Sequence, residues 1–275
     1  MSELEKIVIG KESLPALILT ILFMIIIPIV FFIYWRKKHK DQTKMSYLIA
    51  GMIGFLISAR VLELGVHYVC LISKNPISHF LNTNTWAYAL YGIVMAGIFE
   101  ECGRYVIFKS IMKKHRTREN VVLYGIGHGG MEIFTVILPA MITYLVIVVL
   151  FSSGNIQNAL KTLKMTKDNI FVILPAIKAA ATFNFITMVL SIIERLLTMF
   201  IQIGLTVIVY VDVINTNKVK LLLAIVLHML VDLFPVLYQR KVLSLGIAEI
   251  WLACWCIIII FMALRLYRNE NRIDA

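Results

Sequence analysis

The chain has 275 residues, of which 60% are hydrophobic and only 16% charged. Soluble domains run at about 45–50% apolar and about 25% charged, so this composition, with a mean hydropathy of +0.86, excludes an ordinary soluble globular protein. The net charge of +11 falls largely in the loops between apolar blocks, where basic residues set membrane topology, and no nucleic-acid partner is expected.

Seven apolar segments follow in chain order: 14–35, 46–71, 86–108, 121–150, 182–213, 219–238 and 245–267. Each supplies the ~20 residues needed to cross ~30 Å at ~1.5 Å per residue. In lipid the backbone must satisfy its own hydrogen bonds, which selects helix. The expected fold class is therefore all-α: a polytopic membrane helical bundle, one integral membrane domain over 1–275, multi-pass in the lipid bilayer of the cell membrane. The first segment does not read as a signal peptide, because its basic cluster, "RKKHK" at 36–40, follows the apolar run. Segments four and five are long enough to tilt or to project beyond the bilayer. With the N-terminus outside, the inner loops hold 15 Lys and Arg and the outer ones 9, which favours N-terminus out and C-terminus in.

The longest outer connection is 152–181. Its stretch "NIQNALKTLKMTKDN" sets Ile156, Leu160 and Leu163 at i, i+4, i+7, the spacing of a short interfacial amphipathic helix, with an ordinary loop as the alternative. Cys70, Cys102, Cys254 and Cys256 lie in apolar segments without the spacing of a disulfide framework or a zinc motif, so they read as small buried side chains.

Eight of the 16 acidic residues fall inside the spans, where a charge at a helix centre costs roughly 2.5–3.5 kcal/mol. Span two carries Arg60, Glu63 and His67 on one face, with Arg60 and Glu63 expected to pair. Span three ends in "GIFEECGRYVIFK", which holds Glu100, Glu101 and Arg104. Span four has His128 and Glu132 in "GIGHGGMEIF", span five has Glu194 and Arg195, and span six has His228 and Asp232 in "LHMLVDLFP". Counted from the span ends, Glu100, His128, Glu132, Glu194, His228 and Arg60 fall near the midplane or slightly to the cytoplasmic side. One internal polar cavity would hold them all. Gly125, Gly127, Gly129 and Gly130 surround His128, and small residues let membrane helices approach closely.

A carboxylate with two imidazoles in a partly dry pocket suits water activation. One Glu takes the proton, and a His orients the water or protonates the leaving group. Arg104 stands i+4 from Glu100 and i+3 from Glu101, and neighbouring residues point ~100° apart, so one Glu can face the cavity while the other pairs. No cofactor is expected. The same inventory is chemically acceptable to zinc, although no H-E-x-x-H helix is present. Neither Ser58 nor Ser191 lies in a G-x-S-x-G setting, and Asp212 and Asp232 do not match in depth as an aspartyl dyad would require.

The order E-E-x-x-R, H-x-x-x-E and H-x-x-x-D on successive helices resembles the superfamily that contains the CAAX prenyl endopeptidases, bacteriocin-processing enzymes, PrsW-type site-1 proteases and the Aph subunit of γ-secretase. Within it, the chain is most similar to the YhfC family of glutamic-type intramembrane proteases. The resemblance implies an intramembrane endopeptidase with a core over about 86–238, acting on a membrane protein or peptide, lipidated or not. It casts Glu100 as the water-activating base with His128 helping to hold the water. Glu101 and Arg104 would support the site, Glu132 would belong to it, and His228 and Asp232 would stabilise the oxyanion, with His228 the better donor. The prenyl endopeptidases show E-E-x-x-x-R and more often Asn after the second His, and both departures here argue against prenyl-protein processing. The alternative is a non-catalytic scaffold or a transporter built on the same polar core, since intramembrane Glu, His and Arg also form proton relays.

Overall fold

The computed structural model describes residues 10–112, 117–152, 170–215 and 219–269. All regular structure among them is helical. After a short 3-10 turn, Lys11–Ser13, the helices are α1 (Leu14–Lys38), α2 (Met45–Ile72), α3 (Pro76–Thr83), α4 (Thr85–Ser110), α5 (Arg118–Phe151), α6 (Ile170–Thr182), α7 (Phe185–Asn215), α8 (Val219–Gln239) and α9 (Leu245–Asn269). Six of them, α1, α2, α5, α7, α8 and α9, are long and apolar enough to cross a membrane, and the protein is a multi-pass integral membrane protein. The third expected span is α4. Its 26 residues give sufficient length, but Glu100, Glu101, Arg104 and the tyrosines dilute its hydropathy.

Two boundaries differ from expectation. The amphipathic stretch within 155–169 lies outside the described residues. The rest of that connection forms α6, an apolar helix that continues through Pro175, where the sequence pattern gives only a loop because Pro175 and Lys178 interrupt its apolar run. The fifth segment then begins at Phe185 because Asn184 starts a new helix. Its Oδ1 accepts from the Thr187 amide at 3.0 Å, and its own amide donates to Thr187 Oγ1 at 2.7 Å, a reciprocal cap that fixes the break.

The helices group into two compact units. The first comprises Met1–Ile27 and Ile133–Arg195. Its core joins Ala16 and Leu17 of α1, Ile147, Val148 and Phe151 of α5, Ile177 and Ala180 of α6, and Met188 of α7. The second comprises Pro28–Glu132 and Leu196–Ala275. There α2 lies across the first half of α5, and α8 packs on both α4 and α9. The α2–α5 crossing is made of glycine. A Cβ on Gly51 would run into the Tyr124 carbonyl, and one on Gly127 into the Leu48 carbonyl, so the two backbones meet with nothing between them. Helix α2 widens into π turns over Leu56–Glu63 and Tyr68–Ile72, and α5 does so over Ile133–Ile137. Such turns concentrate at functional sites. Within the first, the Ser58 hydroxyl donates to the Gly54 carbonyl at 2.8 Å, a back-bond of the kind that bends helices.

Candidate active site in the second unit

The site grows from one turn of α4. Helical spacing brings Glu100 and Glu101 within reach of Arg104. Glu101 and Arg104 are fully buried, and Glu100 keeps 7% of its surface. Arg104 acts as a fork. Nη1 donates to both oxygens of Glu101, at 2.9 and 3.1 Å, while Nη2 donates to Glu100 Oε2 at 3.4 Å and to Gln202 Oε1. One guanidinium thus serves two adjacent carboxylates, which could not otherwise sit ionised side by side in a buried site.

Each carboxylate also meets an imidazole from another helix. His128 of α5 lies 2.9 Å from Glu100 Oε2 through Nε2, and His228 of α8 lies 2.6 Å from Glu101 Oε1 through Nδ1. A carboxylate can only accept here, so these ring nitrogens donate. His128 is fully buried between Phe55, edge-on with its ring centroid at 5.2 Å, and Tyr124 at 6.1 Å, and its Nδ1 has no hydrogen-bond partner. The other face of His228 looks toward Asp232, with Nε2 and Oδ2 3.5 Å apart. The Asp232 side chain keeps 32% of its surface, far more than Glu100, Glu101, His128 or His228.

Gln202 of α7 closes the network, and sequence reasoning passed over it. It is 5% exposed. Oε1 accepts from Arg104, and Nε2 donates to Glu132 Oε2 at 2.7 Å and to Glu100 Oε2 at 3.4 Å. Its own carbonyl receives the Thr206 hydroxyl at 2.7 Å. The signal was available, because an amide in an apolar span must find partners or cost stability. It was missed because it carries no charge.

The structure therefore brings together Glu100, Glu101, Arg104, His128, Glu132, His228 and Asp232, all from the expected set, and adds Gln202. Other expected members fall elsewhere. Glu63 pairs with His67 at 3.2 Å instead of with Arg60, and His67 Nδ1 lies 2.9 Å from the Tyr91 hydroxyl, forming a separate polar chain between α2 and α4. Glu194 and Arg195 pair with each other in the first unit.

The two oxygens of Glu100 are not equivalent. Oε2 takes the contacts from Arg104, His128 and Gln202. Oε1 accepts none among the described residues and is not one of the sealed polar atoms. Glu101 differs: both of its oxygens are engaged and none of its surface is open. Glu100 is the carboxylate able to receive a proton from a molecule outside the network, and Glu101 is a fixed counter-ion.

Two imidazoles and four carboxylates suit zinc by type, but their arrangement does not. Among the described residues no group of three His, Cys, Asp or Glu is placed to hold one ion. Each imidazole already donates to a different carboxylate, and the guanidinium of Arg104 occupies the position between the two glutamates.

A family profile described as "YhfC intramembrane metalloprotease" matches residues 23–252. The chain is also 30% identical over 259 residues to a Bacillus subtilis (strain 168) protein named "Uncharacterized membrane protein YhfC", covering 94% of this chain and 96% of the relative. No solved structure matches significantly.

Proposed function

This chain belongs to the YhfC intramembrane metalloprotease family, and from that premise we propose that it is an intramembrane endopeptidase in which Glu100 activates the attacking water. The observation that carries the reading is the asymmetry of Glu100, with Oε2 fixed by three donors and Oε1 left to react. In the hydrolytic step Oε1 takes a proton from water, and the resulting hydroxide oxygen bonds to the peptide carbonyl carbon. As the carbon–nitrogen bond breaks, the Glu100 proton passes to the departing amine, leaving a new carboxyl group and a new amino group. His128 holds Glu100 in orientation. Arg104 and Glu101 hold the charge balance, and His228, held by Glu101 through Nδ1, as imidazolium turns its Nε2–H from Asp232 to the tetrahedral oxyanion. A metal, in the family's description, would supply a Lewis acid. Among the described residues the ligand geometry does not fit one.

Substrates on this reading are membrane proteins or peptides cut in or near the bilayer of the cell membrane, with α4 as a seventh span and the N-terminus outside. The test is cleavage of a panel of transmembrane and lipidated peptides by purified protein in liposomes. Wild type is compared with Glu100→Gln, each with and without chelator. The expected result is cleavage by wild type that resists chelator and falls at least ~100-fold in Glu100→Gln, the scale of a lost general base. Equal activity in the two proteins overturns the role of Glu100, and loss of activity on chelation moves the chemistry to a metal.

A further inference from the structure

Outside the ion network, an apolar groove of about 710 Å³ runs between α2 and α4. It extends from the level of Ser46 and Ile111 at one end to that of Leu62 and Ile98 at the other. The fourteen residues from Ile98 to Ile111 make it ~20 Å long at ~1.5 Å per residue, a little more than the ~15 Å that a lipid tail occupies in half of a ~30 Å hydrocarbon core. Its rim is open: Ile53, Ile57 and Val106 are each about half exposed. Its floor is narrow, because Gly103 of α4 abuts Ser58 of α2 with no room for a Cβ.

The lining selects the occupant: apart from Ser46 and Ser58 it is apolar, so it offers an occupant almost no hydrogen-bond partner. An extended peptide would need hydrogen bonds for its backbone, and the Ser58 hydroxyl is already engaged with Gly54. A hydrocarbon chain asks for none. Charge selects the headgroup. At the Ser46–Ile111 end stand two exposed lysines, Lys44 just before α2 and Lys109 near the end of α4. Lys109 lies seven residues beyond the lining residue Cys102 and so on the same face of α4, with its ammonium 5.5 Å from the Tyr105 ring. The one acid close in sequence, Asp41, stands against the five cations of 36–44.

We propose that this groove is a binding site for one acyl chain of an anionic phospholipid, whose phosphate is held by Lys44 and Lys109. The bound lipid would line the face of α4 away from the Glu100–Arg104 cluster and brace α4 against α2. The inference stands on the groove and its charges alone and does not rest on the protease reading.

The experiment is native mass spectrometry of the purified full chain, delipidated and incubated with equal amounts of dioleoyl phosphatidylglycerol and dioleoyl phosphatidylcholine. Wild type should retain one phosphatidylglycerol in preference to phosphatidylcholine. Lys44→Gln with Lys109→Gln should weaken that retention about 25-fold, from ~fivefold per surface lysine. Ile53→Trp, which fills the groove from its exposed rim, should abolish it, while gel filtration and helical circular dichroism stay those of wild type in both variants. Equal retention of the two lipids by wild type, or unchanged phosphatidylglycerol retention in either variant, overturns the site. A photo-crosslinking amino acid at Ile57 decides the class of occupant in membranes: attachment to phospholipid supports the proposal, and attachment to polypeptide alone overturns it.

Discussion

At the scale of single residues, the site is governed by how many partners each buried group has. Arg104 contacts Glu100, Glu101 and Gln202 at once, and its geometry matters as much as its charge, because a guanidinium offers a planar fork and an ammonium does not. Arg104→Met leaves two adjacent carboxylates buried without their counter-ion and should cost about 3–5 kcal/mol. Arg104→Lys keeps the charge but loses the fork, and should fall between that variant and wild type. Equilibrium unfolding in mixed micelles checks the order of the three, and equal stability of Lys and Met variants would show that the fork contributes nothing. Gln202 gives a second residue-level test. Gln202→Leu removes an acceptor from Arg104 and a donor from Glu132 and Glu100, so it should destabilise by about 1–3 kcal/mol in the same measurement, the range for buried polar groups left unpaired. A leucine variant as stable as wild type would mean that Gln202 is not the hub described here.

At the scale of elements, the α2–α5 crossing carries His128 to Glu100, and glycine decides it. Gly51→Ala puts a methyl against the Tyr124 carbonyl, whereas Gly65, on the same helix α2, has no atom within 4 Å of the equivalent position. Gly51→Ala should therefore lower the thermal midpoint and the yield of monodisperse protein, and Gly65→Ala should raise stability by ~0.5–1 kcal/mol through helix propensity alone. A neutral Gly51→Ala would mean that the two helices do not touch as described. The same elements show which features the sequence made legible. Contacts along one helix were readable from spacing, as with Glu100 and Glu101 to Arg104 and His228 to Asp232. Contacts between helices were not. His128 and Glu132 stand i, i+4 and look like a pair, yet His128 meets Glu100 and Glu132 meets Gln202, because rotation of each helix in the bundle selects the partner. Of the six residues expected in one polar layer, Glu100, His128, Glu132 and His228 meet in the network around Arg104 and Gln202, whereas Glu194 pairs with Arg195 and Arg60 stands apart. Helix α6 and the uncharged Gln202 were not legible, since the first looked like the tail of a loop and the second carried no charge to draw notice.

At the scale of the whole molecule, the count of spans and the position of the site are one question. Six helices are apolar enough to cross unaided. If they alone crossed, an even number would leave both termini on the same side. Adding α4 makes seven and places the termini on opposite sides, in line with the bias of 15 inner to 9 outer basic residues. On that count the α4 crossing would carry Glu100, ten residues from the Ser110 end of α4, into the hydrocarbon layer. The ion network would make that tolerable: the guanidinium, two imidazoles and Gln202 replace the water that the carboxylates give up. Labelling of single cysteines in intact cells tests this, with Cys70, Cys102, Cys254 and Cys256 changed to serine. Lys74→Cys, before α4, should react with a membrane-impermeant maleimide from outside. Ser110→Cys, at the other end of α4, should react only after permeabilisation. Labelling of both from one side would remove α4 from the bilayer and the proposed base with it. Opposite sidedness in the reverse sense would keep α4 as a span and invert the molecule, so that substrates approach the site from the other leaflet.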